Sequence, residues 1–325
     1  MFNNEKYKKV LHLQQIKKNE QMKKILLSFL ATATILVSCN KNDDTPNNPQ
    51  QSSSLLKKII EKDEEGKIGE VRAFTYKDNH LATIATDEYN NGVQTGTTMI
   101  TTYSYEGNLL KEAKTAGSEV KYYYENGKIS IKTEKYTQRT GYISSYTHQY
   151  TYEGNQIATI LRTESATVFV NGGAQSGTAH WKKQYTYSGN TITEVVTHYT
   201  KDKNGAVIQN YFGSYTKTTV YTIANGNILK VVNDEETTEY EYDNHPNPLY
   251  EIQQLATIED IELLLDEENT KNNITKVIRT EQRLSKKKVT TCEYRYNAAG
   301  YPIENKVYKE DNGVRELEGS AEYQY

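Results

Sequence analysis

The chain has 325 residues with a net charge of −3 and a mean hydropathy of −0.81, and its aromatic residues are 28 Tyr, 5 Phe and 1 Trp. The counts of 2 Cys and 5 Pro exclude a disulfide scaffold, a collagen-like chain and a Pro-rich linker protein. The nearly balanced charge gives no electrostatic reason to expect a nucleic-acid partner. A chain of this length can bury a core, and tyrosine must supply much of it.

Residues 22–38 have the layout of a bacterial signal peptide, with a basic start and then thirteen uncharged residues at 25–37. As a helix this run rises only about 20 Å, less than the roughly 30 Å of a bilayer core, so a transmembrane span is disfavoured. Leu36, Ser38 and Cys39 resemble a lipobox, which predicts cleavage between Ser38 and Cys39 and attachment of lipid to Cys39. A secretory signal with an incidental cysteine is the alternative.

The organisation around this signal follows from its position. Residues 1–21 lie ahead of the basic start and indicate a mis-assigned upstream start codon. Residues 40–54 carry no apolar side chain, so the segment 39–54 is predicted to be a lipidated cysteine with a flexible polar tether. Residues 55–325 are predicted to form a single β domain built from repeats.

The same segment predicts a location in the outer membrane through the N-terminal lipid. The acidic pair Asp43-Asp44 lies close behind Cys39, and it resembles the acidic export signals of surface lipoproteins. We therefore favour display on the cell surface over a periplasm-facing position. Ordinary solvated linker charges are the alternative reading of the pair.

A short phrase recurs after about residue 70: Tyr-x-Tyr, an acidic or small residue, a Gly/Asn turn, and then an alternating apolar run. Tyr-x-Tyr places both rings on one face of a strand, and Gly or Asn supplies the positive φ of a tight hairpin turn. We expect the rings to pack while their hydroxyl groups reach water. The seven pairs begin at Tyr103, Tyr122, Tyr150, Tyr185, Tyr240, Tyr294 and Tyr323, and Phe74 begins a weaker version.

The repeat predicts an all-β fold, a long antiparallel meander of hairpins that forms a twisted or barrel-like sheet. Three longer loops, at 89–92, 171–174 and 203–205, are predicted to lie at the opposite hairpin ends from the Gly/Asn turns. Because these loops differ in length and composition, any individual function is expected to involve them.

One segment departs from the repeat. Apolar residues recur every three or four positions, which predicts one short amphipathic helix inserted near 252–268. Its acidic residues are interpreted as the solvated face of that helix, because no calcium-loop spacing is present. These acidic residues are Glu259, Asp260, Glu262, Asp266, Glu267 and Glu268.

Two single residues have competing interpretations. Trp181 follows a Gly-rich segment, where it could contact a sugar or a partner, but capping the end of a Tyr-lined sheet is the favoured interpretation. Cys292 shares strand parity with Tyr294 and Tyr296, so we expect a buried structural thiol rather than a nucleophile.

The Tyr-x-Tyr/Gly-Asn phrase resembles the YD repeats of RHS and teneurin proteins. The order of YEYDNHPNPLY at 240–250, an insert, 272–276 and YRYNAAGYP at 294–302 is similar to a family of Bacteroidota lipoproteins of unknown function with a porin-like β fold. This resemblance implies a lipid-anchored β structure. The strands alternate Tyr and Thr without an aliphatic face, so we expect a wall that does not contact lipid.

The sequence contains no catalytic motif, metal motif or cofactor fingerprint. We therefore predict a noncatalytic, membrane-anchored envelope lipoprotein without metal or cofactor, acting as a binding or structural module. Its partners are the membrane, through lipid, and a glycan or an envelope protein, with no nucleic acid. The alternatives are a hydrolase whose carboxylates meet through long-range contacts, and an RHS-like structural shell component.

Overall fold

A computed structural model describes residues 55–137, 143–170, 173–208, 214–256, 260–283, 286–311 and 313–325. The predicted start codon, the signal peptide, Ser38, Cys39 and the tether lie outside these residues. The all-β fold class is confirmed.

Strands make up most of the described chain. They are β1 (Lys58–Asp63), β2 (Ile68–Lys77), β3 (His80–Asn90), β4 (Val93–Glu106), β5 (Leu109–Thr115), β6 (Ser118–Glu125), β7 (Lys128–Thr137), β8 (Ile143–Glu153), β9 (Gln156–Val170), β10 (Gly173–Ser188), β11 (Thr191–Asp202), β12 (Tyr215–Ala224), β13 (Asn227–Val232), β14 (Glu236–Pro246), β15 (Asn272–Glu281), β16 (Lys286–Tyr296), β17 (Pro302–Asp311) and β18 (Val314–Gln324).

The strands form one closed antiparallel barrel. Each strand pairs with its neighbours in sequence, as β6 does with β7 and β7 with β8. The last strand then pairs with the first, with Lys58 opposite Gln324 and Ile59 opposite Tyr323. The predicted meander is therefore closed, and its order in space is its order in sequence.

The two ends of the barrel differ. Even-numbered strands end at the Tyr-x-Tyr phrase, and we call this rim the Tyr end. In the turn from β6 to β7, Asn126 and Gly127 have φ values of 52° and 77°, the left-handed pair that a two-residue hairpin requires. Odd-numbered strands end at the opposite rim, the loop end. The loops predicted at 89–92 and 203–205 follow odd-numbered strands at this rim, whereas residues 171 and 172 of the third predicted loop lie outside the described residues.

The Tyr-x-Tyr rings face the barrel interior, and their hydroxyl groups bond protein atoms. The first tyrosine of a pair is buried in the five copies from Tyr103 to Tyr240. In six of the seven pairs the second tyrosine donates its hydroxyl to a backbone carbonyl of the preceding strand, and in the seventh Tyr296 donates to the Asp243 carboxylate. The expectation that these tips reach water is therefore wrong. The six carbonyl bonds join Tyr105 to Leu81, Tyr124 to Leu110, Tyr152 to Ile129, Tyr187 to Ile157, Tyr242 to Ile228 and Tyr325 to Pro302, at 2.6–3.0 Å.

This hydroxyl bond explains the repeat. Its acceptor is the first or second residue after a turn, on the strand that precedes the Tyr-x-Tyr strand. Each tyrosine therefore ties its own hairpin to the one before it at the Tyr end. Phenylalanine would fill the same volume without this bond, which accounts for the excess of Tyr over Phe.

The insert between β14 and β15 contains two short helices instead of the single helix predicted. They are α1 (Pro248–Ala256) and α2 (Ile261–Leu264), followed by a 3-10 turn at Glu267–Asn269. Asp260 interrupts the helix because it takes an extended conformation and caps α2, accepting a hydrogen bond from the backbone N–H of Glu262 at 3.1 Å. The apolar periodicity indicated one continuous helix because Ile252 and Ile261 both enter the core, although they belong to different helices.

The insert lies inside the barrel. Ile252 and Ile261 are 1% and 6% exposed and belong to the same buried cluster as the wall residues Leu81 and Leu110. Helix α1 also packs against β3, a strand far around the barrel from β14. We call residues 247–271 the plug.

Charged and hydroxyl side chains occupy much of the outer wall, with scattered exposed apolar residues such as Ile100 and Leu229 among them. Cross-strand ion pairs join Lys121 to Glu112 at 3.4 Å and Lys276 to Glu241 at 2.9 Å, at positions that alternate with inward-facing tyrosines. Thr151 and Thr159 also bond each other across two strands at 2.6 Å. Such a surface is suited to water and not to hydrocarbon, which needs a continuous apolar band.

Candidate functional site

The base of the plug is fixed at the Tyr end. Asn247 accepts a hydrogen bond from the Leu249 N–H through its side chain, and Pro248 occupies the first helical position. The Asn247 N–H donates to the Lys271 carbonyl, and its amide group donates to the Thr270 carbonyl, both at 3.0 Å. The two ends of the plug are thus held together where it enters and leaves the lumen.

The tip of the plug is bound to the opposite wall by a buried ion network. Glu262 accepts from Lys183 Nζ at 2.6 Å and from Lys132 Nζ at 3.1 Å. Lys132 belongs to β7 and Lys183 to β10, whereas the plug arises between β14 and β15. The Glu262 carboxylate therefore joins parts of the barrel that are distant around its circumference. We call this network the latch.

Asp260 is the most buried member of the latch, with its side chain 2% exposed. One oxygen accepts the hydroxyl of Tyr150 at 3.0 Å and lies 3.6 Å from Lys132 Nζ. The other oxygen caps α2. The prediction that Asp260 and Glu262 belong to a solvated helix face is therefore wrong. Because α2 lies in the lumen, its polar side faces inward-pointing lysines.

Burial and the two lysines drive the pKa values of this carboxylate pair apart. Burial raises the pKa of Asp260, and Glu262 close by adds to the effect. Burial opposes ionisation of Glu262 as well, but Lys183 and Lys132 outweigh it and hold the pKa of Glu262 well below its usual range. The lysines likewise keep raised pKa values in spite of their burial, because of these carboxylates.

Two wall carboxylates extend the latch. Glu134 lies 3.3 Å from both Lys132 Nζ and His148 Nε2 and accepts the hydroxyl of Tyr136 at 3.0 Å. Burial alone would raise the pKa of Glu134, but Lys132 and His148 lower it below the usual range.

On β11, Glu194 accepts the hydroxyl of Tyr185 at 2.9 Å and lies 3.6 Å from Lys183 Nζ. Each carboxylate of the latch is therefore paired with a cation, a hydroxyl group, or both.

A cavity of about 520 Å³ lies on the other side of the plug. Residues of β1, β2 and β15–β18 form its wall, and plug residues such as Leu249 and Thr270 line another side. Its volume falls within the range of about 300–1,000 Å³ that is typical of small-molecule sites. Wall residues include Arg72, Arg279, Cys292, Tyr294, Asn305 and Val307.

Cys292 lies on the cavity wall beside Tyr294, which agrees with the predicted placement on the Tyr-bearing face. It is a free thiol, and burial raises its pKa to about 11. A thiol with so high a pKa is a poor nucleophile near neutral pH. The prediction of a structural cysteine therefore agrees with its surroundings.

Trp181 is not among the residues that line this cavity, and it lies in the middle of β10. Arg162 from β9 places its guanidinium carbon 4.6 Å from the Trp181 ring centre, and His198 from β11 stacks on the same ring at 4.6 Å. Arg162 also covers Tyr146, with 3.9 Å from its guanidinium carbon to that ring. The indole is thus flanked by partners from both neighbouring strands, and the capping interpretation stays a prediction. Ligand contact by Trp181 stays a prediction.

Two further searches of the described part of the chain concern membranes and metals. No helix there has the length and apolar character needed to cross a bilayer. No group of three or more His, Cys, Asp and Glu side chains in that part is arranged to hold a metal ion.

The chain matches no protein-family model and no curated protein. Among solved structures it is similar to a porin-like protein from Bacteroides uniformis ATCC 8492, with a TM-score of 0.39 and 12% identity over 83% of this chain and 97% of that one. A porin-like protein from Bacteroides vulgatus ATCC 8482 gives a TM-score of 0.39 and 12% identity over 84% and 99% of the two chains.

Proposed function

We propose that this chain is a noncatalytic envelope lipoprotein whose plugged barrel is a binding module and does not conduct solutes. The observation that carries this proposal is the cavity of about 520 Å³ between the plug and the barrel wall. Its size is that of a small-molecule site, and it lies on rigid strands. The latch holds the other side of the lumen closed.

The position of the barrel relative to the membrane is part of this proposal. The ion pairs on its outer wall support a barrel surrounded by water, with lipid on Cys39 as the anchor. Residues 40–54 can extend at most about 50 Å, and β1 begins at the Tyr end. The Tyr end then faces the outer membrane, and the loop end faces a glycan or protein partner.

Two measurements test this proposal. Cys39→Ala should abolish labelling by radioactive palmitate and release the protein from the membrane fraction, whereas Cys292→Ala should keep both properties. Liposomes that carry the purified lipoprotein should stay impermeable to small sugars. Labelling that survives Cys39→Ala would refute the anchor, and swelling of the liposomes would refute the plugged, non-conducting barrel.

A hydrolase is the second candidate, and one observation favours it. Asp260 and Glu262 have pKa values displaced in opposite directions, as in the acid and base of many hydrolases. The hydrolase ranks below the binding module because the Asp260 side chain is 2% exposed and every latch carboxylate already has a protein partner. Hydrolysis of chromogenic glycosides that is lost in Asp260→Asn would reverse this order.

A further inference from the structure

The cavity wall includes three acidic and three basic side chains, and most of these charges are paired. Arg72 pairs with Glu61 and, through Nε at 3.1 Å, with Glu70. Arg279 donates to both oxygens of Glu267 at 3.0 and 3.2 Å. An anionic ligand would therefore have to break one of these pairs, and a cation would find only the exposed Glu318 outside them.

Paired charges still offer hydrogen bonds. A guanidinium group has five N–H donors and a carboxylate has about four acceptor positions, so an Arg–Glu pair keeps unused donors and acceptors at its edges. On the same wall, Lys62 is a hydrogen-bond donor and Glu61 is an acceptor. The wall thus suits a ligand whose groups both donate and accept, which is the property of a hydroxyl group.

The wall also has an apolar part. Val277, Val307 and Ala321 line the cavity together with the rings of Tyr294 and Tyr323. Aromatic and aliphatic surfaces pack against the C–H faces of a ring-shaped ligand, while polar groups at the edge fix its orientation.

One wall group has an unmet hydrogen bond. Among the described residues, Oδ1 of Asn305 is a buried acceptor without a partner. A buried acceptor without a donor is costly, and a ligand hydroxyl that reached it after a small rotation of the amide would satisfy it.

We propose that the cavity binds a small, neutral, polyhydroxylated molecule with the size of a mono- or disaccharide. The proposal rests on the proposed function of the barrel as a binding module, and it names the class of ligand. The balanced charges exclude a strong preference for an ion, and the mixture of hydroxyl-compatible edges and apolar rings matches the two faces of a sugar.

Cys292 provides a direct reporter for this site, because it lies on the cavity wall and is the remaining cysteine in the chain after Cys39→Ala. We would measure the rate at which an aromatic disulfide reagent modifies it by thiol–disulfide exchange, in the full chain carrying Cys39→Ala. The neutral panel is glucose, galactose, mannose, N-acetylglucosamine, maltose and lactose. The charged panel is glucuronate, glucosamine, glutamate and arginine, all at millimolar concentration.

At least one neutral sugar should slow the modification about tenfold or more, because a bound small molecule has most of its surface buried against the wall. The same sugar should raise the Tm, since it binds the folded state. Asn305→Ala should weaken this protection, whereas Lys306→Ala should leave it intact, because Lys306 is the next residue on β17 and is exposed. Val307→Phe should fill the cavity and abolish protection, with the Tm of each variant measured to confirm folding.

The other outcomes separate the two proposals. Protection by members of the charged panel alone would overturn the sugar assignment and leave the binding module standing. Neither protection nor a Tm shift with any compound of either panel would overturn the sugar assignment. If the liposomes also swelled, the proposed function would be refuted together with the sugar assignment. Equal losses of Cys292 protection in Asn305→Ala and Lys306→Ala would place the sugar outside the cavity and so contradict the proposal.

Discussion

The two sides of the lumen are built from the same repeat, but only one is filled. On the side of β7–β11, Lys132 and Lys183 reach inward and hold the plug through Glu262. On the side of β15–β18, Arg279 meets Glu267 near the base of the plug, and a cavity remains. The Tyr-x-Tyr scaffold is common to both sides. The difference teaches that residues which break the repeat on the inward face decide whether the lumen is closed or open.

Lys132 shows this rule clearly. The third residue after the first buried aliphatic residue of a repeat is itself buried and apolar in three other copies, where it is Ile84, Ala113 and Ile160. In the copy that begins at Ile129, the same position is Lys132. A buried lysine needs a paired carboxylate, and the plug supplies it from a distant part of the sequence.

The largest expected effect is on the filled side. Glu262→Gln leaves Lys132 and Lys183 buried without their shared carboxylate, so the free energy of unfolding should fall by about 3–5 kcal/mol. Urea unfolding measures this change in the free energy of unfolding. Glu239→Gln is the matched control, because Glu239 pairs with Lys230 on the outer wall at 3.1 Å and should cost at most about 1 kcal/mol. Equal losses in the two variants would mean that the latch is not buried.

Acid should act on the same side. The pKa values of Glu262 and Glu134 are lowered in the folded state, so their stabilisation is present above the ordinary value of 4.5 and is lost as the pH falls below it. A loss on the order of 2 kcal/mol is expected for such a group. Asp260, whose pKa is raised, works in the opposite direction.

Urea unfolding at a series of pH values down to and below 4.5 tests this expectation. Glu134→Gln should flatten the acid loss, and Asp260→Asn should steepen it because the opposing group is removed. A wild-type stability that stays constant through this pH range would contradict the assignment of the latch charges.

A smaller effect separates the scaffold from both sides of the lumen. Tyr124→Phe removes the bond from its hydroxyl to the Leu110 carbonyl and should cost about 0.5–1.5 kcal/mol. Tyr123→Phe changes the residue that precedes Tyr124 on β6, whose side chain faces outward and is 46% exposed. This variant should change stability by less than about 0.5 kcal/mol. Chemical denaturation of both variants gives the comparison, and a larger loss at Tyr123 would refute the role of the inward hydroxyl.

The sequence predicts the scaffold because the information is local. Tyr-x-Tyr parity and Asn126-Gly127 at a turn depend on neighbours a few residues apart, so the meander and the inward tyrosines follow from them. The latch is not predictable in this way, since Lys132 and Glu262 are 130 residues apart. The acidic residues near 260 looked solvated because a helix face alone does not reveal that it points into a barrel. The signal for the latch that the sequence does contain is Lys132, which stands where other copies of the repeat have an apolar residue.

The most direct test of the account is the coupling between Lys183 and Glu262. A double-mutant cycle with Lys183→Met and Glu262→Gln compares the unfolding free energies of the wild type, both single variants and the double variant. The account predicts a stabilising coupling of about 1–3 kcal/mol, because the two side chains share one partly buried contact at 2.6 Å. Losses that add to within about 0.5 kcal/mol would show that the plug does not reach the opposite wall, and would contradict the latch.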